Sequence, residues 1–129
     1  MLNKEIYRGA LRLIGEPCDE MRTEDYVERA PYIIANFISE NAKLDGQYRA
    51  FCGEAAGRAC SSVYVSLDAE FPLCARFISA AEYYLASMLI DGEDDDRADD
   101  FFDLYCRALA DILTEIPATR EKILNVYGA

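Results

Sequence analysis

The segment SLDAEFPLCARFISAAEYYLASML, residues 66–89, decides the fold of this chain. Pro72 suits the first turn of a helix, because a residue at that position needs no N–H and its φ is already close to helical. Small residues follow it and let other helices approach closely. The segment therefore predicts a central helix that is contacted on more than one side. Large and small apolar side chains recur along one face of it at helical spacing: Leu73, Phe77, Ala81, Tyr84, Leu85 and Met88.

Two helices are predicted upstream of this segment. Apolar residues at helical spacing predict the first over residues 3–14, with Asn3 as its cap. The second is predicted over residues 23–44, and Asp45-Gly46 after it is typical of a turn. Pro31 lies inside the second helix. We expect a kink there rather than two separate helices, because the apolar stripe stays in phase across the proline.

The rest of the chain completes the predicted architecture. Residues 95–116 predict an amphipathic helix, and Pro117 ends it and starts a short last helix. Residues 45–66 are irregular, and their only β-like run, Val63–Val65, is too short to found a sheet. The sequence therefore predicts an all-α fold. We expect a single domain over residues 1–129, a small bundle of four to five helices with an irregular middle segment and at most a short β element.

Composition and charge limit the classes of partner. The net charge is −11, and residues 66–129 carry −9 of it, from five Lys or Arg against fourteen Asp or Glu. Such a surface repels phosphates, so we expect no direct nucleic-acid binding and no attachment to an anionic membrane. No apolar run approaches the roughly 20 residues of a membrane span. The five cysteines are odd in number and form no C-x-x-C pair, which predicts reduced, mostly buried thiols of an intracellular protein.

The acidic run from Asp91 to Asp103 is the most visible candidate for metal chemistry. A calcium loop that begins at Asp91 needs glycine at its sixth position and glutamate at its twelfth, but Asp96 and Phe102 stand there. We therefore expect a solvated turn whose acids stabilise the next helix, and no metal site. The chain also has no histidine, the commonest general base, and no nucleophile or phosphate-loop motif. The sequence predicts no catalytic residue, no cofactor and no enzymatic activity.

Candidate contact residues come from three places in the chain. Tyr83 and Tyr84 point in different directions from one helix, so both can hardly face the same core. Tyr83 is the candidate for an interface, although a half-buried tyrosine with its hydroxyl in water explains it equally well. The β-like run offers backbone groups that a neighbouring chain can pair with. The C-terminal segment holds more apolar residues than one short helix can bury on one face. Apart from Tyr83, the candidates are Val63, Tyr64, Val65, Ile123, Leu124, Val126 and Tyr127.

Three stretches in this order resemble bacteriophage and prophage head–tail connector (adaptor) proteins. They are EDYVERAPYIIANFISE at 24–40, AAEYYLASMLI at 80–90 and FFDLYCRALADI at 101–112. The resemblance implies a small helical subunit that forms a ring beneath the portal of a filled capsid and receives the tail. It also implies self-association, portal and tail-completion proteins as partners, and residence in the host bacterial cytoplasm during assembly and then in the virion.

An acidic inhibitory or DNA-mimic protein that occupies a basic protein cleft is the alternative. A mimic should array its carboxylates along one exposed face, whereas the acids of this chain concentrate around one helix start. The leading prediction is a non-enzymatic structural connector that works by shape and by repeated weak contacts around a ring.

Overall fold

The computed structural model describes residues 1–15, 24–55 and 62–116. These residues contain four α-helices, and the predicted all-α bundle is confirmed. The last helix predicted after Pro117 lies outside the described residues. In chain order the helices are α1 (Asn3–Ile14), α2 (Glu24–Cys52), α3 (Ile78–Ile90) and α4 (Asp95–Thr114), with a single 3-10 turn, Ala75–Phe77, leading into α3.

Helix α3 lies at the centre of the bundle and packs against α1, α2 and α4, as the sequence predicts. Four of its small side chains, Ala80, Ala81, Ala86 and Ser87, are buried, which lets the neighbouring helices approach closely. One of them, Ser87, donates its hydroxyl to the carbonyl of Ala98 in α4 (2.8 Å). This buried hydrogen bond joins α3 to α4, the two described helices that share the most extensive contact.

Helix α2 is longer than predicted. It runs past Asp45-Gly46, where the sequence predicts a turn, and ends at Cys52. The reason is that Asp45 is buried and fully engaged: its carboxylate accepts hydrogen bonds from Arg49 Nε (2.9 Å) and from the backbone N–H of Cys74 (2.8 Å). An ion pair one turn apart on a helix stabilises the helix across that position. The irregular part of the middle segment therefore starts after Cys52.

The same arginine explains a second difference from the prediction. Arg49 also donates to the carbonyl of Pro72 (3.0 Å), which fixes the chain before it reaches α3. Pro72 consequently precedes the 3-10 turn instead of opening a helix. Helix α2 itself continues through Pro31, in agreement with the prediction of one helix rather than two.

The start of α1 also differs from the prediction. Leu2, not Asn3, is the N-cap residue, and Asn3 is buried in the first turn. The Asn3 side chain donates to the carbonyl of Ser66 (2.9 Å), so it fixes the segment before α3 against α1. An isolated antiparallel bridge between Leu2 and Glu70 lies beside it. The short β element therefore falls here and not at Val63–Val65.

The core is centred on Phe37 of α2. Its ring contacts Phe71, Tyr84 and Tyr105, with centroids 6.3, 5.7 and 5.9 Å away, so it ties α2 to α3, α4 and the segment before α3. Tyr84 is buried while Tyr83 is half-buried, which confirms that the two tyrosines do not share one environment. Burial raises the pKa of both Tyr84 and Tyr105, which keeps these phenols neutral.

Two arginines reinforce the ends of neighbouring helices. Arg29 of α2 donates to the Leu89 carbonyl near the end of α3 (2.8 Å), and Arg97 of α4 donates to the Ile14 carbonyl at the end of α1 (2.8 Å). The last carbonyls of a helix have no intrahelical donor, so a cation placed there satisfies them and complements the helix dipole. These contacts join α2 to α3 and α4 to α1.

Candidate protein interface

Four exposed apolar side chains lie together where α2 meets the loop at residues 62–65. Val27, Tyr32, Val63 and Tyr64 are 39, 54, 81 and 51% exposed, and we call them the aromatic patch. The rings of Tyr32 and Tyr64 meet edge to face with centroids 5.3 Å apart. Contiguous apolar surface that faces water is a mark of protein interaction sites.

The backbone around Pro31 positions the patch. Its carbonyl accepts a hydrogen bond from the Val65 N–H (3.3 Å), which holds the loop against α2. The Ser62 hydroxyl then closes a local turn, since it donates to the Tyr64 carbonyl (2.7 Å) and accepts from the Tyr64 N–H (3.3 Å). With its backbone satisfied in this way, Tyr64 is left to present its ring beside Tyr32.

A cleft lies on each side of Tyr32. One has a volume of about 360 Å³ and includes the polar side chains of Asn36, Ser39 and Ser62 in its walls. The other, of about 500 Å³, runs along Val27, Pro31 and Tyr64. Because proline has no N–H, the Val27 carbonyl lacks its usual helical donor. The patch thus combines two recesses for apolar side chains with polar groups that can orient a partner.

The predicted contact residues differ in where the structure places them. Val63 and Tyr64 belong to the patch. Val65 is half-buried and its N–H is already engaged, so the expectation that this run offers a free backbone edge is wrong at Tyr64 and Val65. Tyr83 packs partly against the core. Four further candidates, Ile123, Leu124, Val126 and Tyr127, lie outside the described residues.

Val27 and Tyr32 are patch residues that sequence reasoning missed. The available signal was their position relative to the apolar stripe of α2. Tyr32 lies five residues before Phe37, which places it about 140° away around the helix. A large aromatic residue on the side of a helix opposite its buried stripe indicates a surface contact.

The acidic run forms the solvated turn that the sequence predicts. Asp94 is the N-cap of α4 and accepts from the Arg97 N–H (3.3 Å), and Asp95 accepts from the Gly92 N–H (2.9 Å). All residues from Asp91 to Arg97 are exposed. Within the described parts of the chain, no group of three or more His, Cys, Asp or Glu side chains is placed to hold a metal ion.

The described cysteines are more exposed than predicted. Cys52 and Cys106 lie at the surface, whereas Cys74 is half-buried, and all three are free thiols. Burial is the main reason that the pKa of Cys74 rises to about 11, so this thiol stays protonated and a poor nucleophile at neutral pH. Cys18 and Cys60 lie outside the described residues.

Among residues 1–15, 24–55 and 62–116, no helix is long and apolar enough to cross a lipid bilayer. Compared with known proteins, the chain matches no family model, no curated protein and no solved structure. The surface chemistry of the described residues is therefore what points to a function.

Proposed function

We propose that the protein is a non-enzymatic subunit of a phage or prophage head–tail connector, and that it docks on the portal through the aromatic patch. The observation that supports this most directly is the exposure of Tyr32 and Tyr64 beside two clefts. Tyrosine is enriched at protein interfaces because its ring gives a large contact area and its hydroxyl still binds water or a polar partner. The tail-completion proteins and further copies of the chain are the other proposed partners.

A ring explains how so small a patch can suffice. Four exposed side chains per subunit give a weak contact on their own. Repeated around a closed ring, the same contact adds up to firm attachment without any new chemistry. The acidic surface of α4 then serves to steer the subunit towards a basic partner, an effect that falls with added salt.

The DNA-mimic alternative has less support from the surface of α4. A mimic needs carboxylates in an uninterrupted array. The exposed residues of α4 include Phe102, Arg107 and Leu113 between the acids, which breaks the array with apolar and positive groups. The proposal of a structural connector accommodates these residues, because a connector needs several different contact surfaces.

Co-purification tests the proposed function. The tagged chain is co-expressed with the portal protein encoded near its gene, and with an unrelated portal as the control. We expect only the cognate portal to be retained, and to remain bound in about 0.5 M salt, because an apolar contact is not screened. The proposal fails if no portal is retained. Capture of a basic nucleic-acid-binding protein that washes off in the same salt would instead support the DNA-mimic alternative.

A further inference from the structure

The larger cleft beside Tyr32, of about 500 Å³, has features that suit a positively charged group. Two of its walls are the rings of Tyr32 and Tyr64, which cross at 71° and therefore form the sides of a corner rather than one flat surface. The face of a tyrosine ring carries partial negative charge and attracts cations. Rings that are half exposed, as these two are, leave room for such a contact.

Glu28 supplies a negative charge to the same cleft. Its side chain lines the cleft and the residue is exposed. Within residues 1–15, 24–55 and 62–116, Glu28 forms no ion pair. A carboxylate beside two aromatic rings favours a cation over a neutral or anionic ligand.

Arg29 also lines the cleft, but its charge is already matched. Its guanidinium forms an ion pair with Asp25 (3.0 Å) and donates to the Leu89 carbonyl at the end of α3 (2.8 Å). It also lies over the ring of Tyr26, 5.7 Å from the centroid. These contacts hold Arg29 against its own chain, so Glu28 is the charged lining residue that remains to attract a ligand.

A backbone acceptor completes the site. The Val27 carbonyl lacks its usual helical donor because residue 31 is a proline, and Val27 lines the same cleft. An arginine side chain can use all of these features together. Its planar guanidinium stacks on an aromatic ring and still presents N–H donors to a carbonyl and a carboxylate, whereas a lysine ammonium offers only a point charge.

We propose that the aromatic patch takes up a basic side chain of its partner, with arginine preferred to lysine, in the cleft formed by Tyr32, Tyr64 and Glu28. The inference rests on the proposed function for the identity of the partner, because the portal would present this basic residue. The net charge of −11 also favours the approach of a basic segment.

A pair of capped peptides tests the site without any portal. Acetyl-Gly-Arg-Gly-amide is compared with the same peptide that carries citrulline, which keeps the shape of arginine and removes its charge. Each is titrated into the nitrogen-15-labelled full chain and followed by NMR. We expect the arginine peptide to shift the amide signals of Tyr32 and Tyr64 with a millimolar dissociation constant, and the citrulline peptide to bind roughly fivefold or more weakly. Equal binding of the two peptides, or shifts confined to the acidic start of α4, would overturn the proposal.

A matched pair of acidic variants tests the role of Glu28. Glu28→Gln should weaken binding of the arginine peptide by about threefold, since it removes the carboxylate of the cleft. The control is Glu24→Gln, because Glu24 is also exposed, lies one turn earlier on α2 and does not line the cleft. The control should weaken binding less. Equal losses in the two variants would show a general effect of charge and would contradict a site at Glu28.

Portal binding separates this inference from the proposed function. Glu28→Lys places a positive charge in the cleft and should weaken retention of the cognate portal by at least about fivefold. A portal that binds the parent and Glu28→Lys equally well would overturn this inference and leave the proposed function standing. If the arginine peptide is preferred at the cleft but no portal is retained, the site for a basic side chain is upheld and the proposed function fails.

Discussion

Phe37 and Tyr32 lie five residues apart on α2 and have opposite environments. Phe37 is 1% exposed and its ring contacts three other aromatic rings, whereas Tyr32 is 54% exposed and meets Tyr64 at the surface. Five residues turn a helix by about 500°, which places the two rings on opposite sides. One helix therefore serves folding with one face and, in our proposal, binding with the other. Substitutions on the two faces should affect different measurements.

The largest difference in the free energy of unfolding is expected between the variants Phe37→Ala and Tyr32→Ala. Removing the buried ring leaves a cavity at the centre of the bundle and should lower the free energy of unfolding by about 3–5 kcal/mol. Removing the exposed ring should change it by no more than about 0.5 kcal/mol. Urea titration followed by far-ultraviolet circular dichroism measures both. Similar losses for the two variants would show that Tyr32 belongs to the core.

A smaller loss of stability is expected when the buried ion pair near the end of α2 is removed. Asp45→Ala removes the acceptor for the Cys74 N–H and leaves Arg49 without its carboxylate, so we expect a loss of about 2–3 kcal/mol. The matched control is Asp25→Ala, because Asp25 and Arg29 form a pair with the same spacing on the exposed side of α2 (3.0 Å). The control should lose less than about 0.5 kcal/mol.

This pair of variants also tests why α2 is longer than predicted. If Asp45 holds the helix together, circular dichroism of Asp45→Ala should show less helix before the main unfolding transition. Unchanged helix content in that variant would mean that the last turns of α2 form without Asp45.

Sequence periodicity predicted the parts of the fold that depend on local apolar spacing. Helix α1 covers the predicted residues, Asn3–Ile14, although its N-cap is Leu2 and not Asn3, and the central position of α3 follows from its small residues. The two wrong assignments of helix ends, at Asp45 and at Asn3, have one physical cause. Asp45 and Asn3 look like turn or cap residues in the sequence, yet both are buried by partners distant in the chain, Cys74 and Ser66. Tertiary hydrogen bonds of this kind leave no local pattern.

The candidate interface was only half predictable for a related reason. Val63 and Tyr64 stand out as a β-like run in a polar region. Val27 and Tyr32 lie within an amphipathic helix, outside the buried stripe that serves the core. Their contact with the loop depends on the bond between Pro31 and Val65, which joins residues far apart in the chain. Only the folded structure brings the two pairs together.

A smaller stability effect than that of Asp45→Ala is expected from Glu82 of α3, which is partly buried against α1 near Gly9. Burial raises the pKa of this carboxyl above its ordinary value of 4.5, and the charge of Arg12 offsets part of the rise. An acid whose pKa is raised by folding stabilises the fold below its unfolded pKa, and this contribution is lost as pH rises through the folded value. Glu82→Gln should therefore stabilise the protein at pH 7 by about 0.5 kcal/mol after solvent screening. The two proteins should be equally stable near pH 3.

Glu115 provides the control of opposite sign. The hydrogen bond from Arg76 lowers the pKa of Glu115, so its contribution is present above the unfolded pKa and disappears as pH falls through the folded value. Glu115→Gln should lower the melting temperature at pH 7 and have less effect in acid. If both variants shift the melting temperature in the same direction at pH 7, the assigned causes of these pKa shifts are wrong.

The most direct test of the central claim measures portal binding and stability on the same proteins. The double variant Tyr32→Ser, Tyr64→Ser removes the rings of the aromatic patch, and Phe51→Ser removes an exposed ring of α2 outside it. We predict that the double variant binds the cognate portal at least about tenfold more weakly, as expected when interface aromatics are lost. Its melting temperature should stay within a few degrees of the parent, and Phe51→Ser should bind normally. Unchanged portal binding by a folded double variant would contradict the assignment of the aromatic patch as the portal contact.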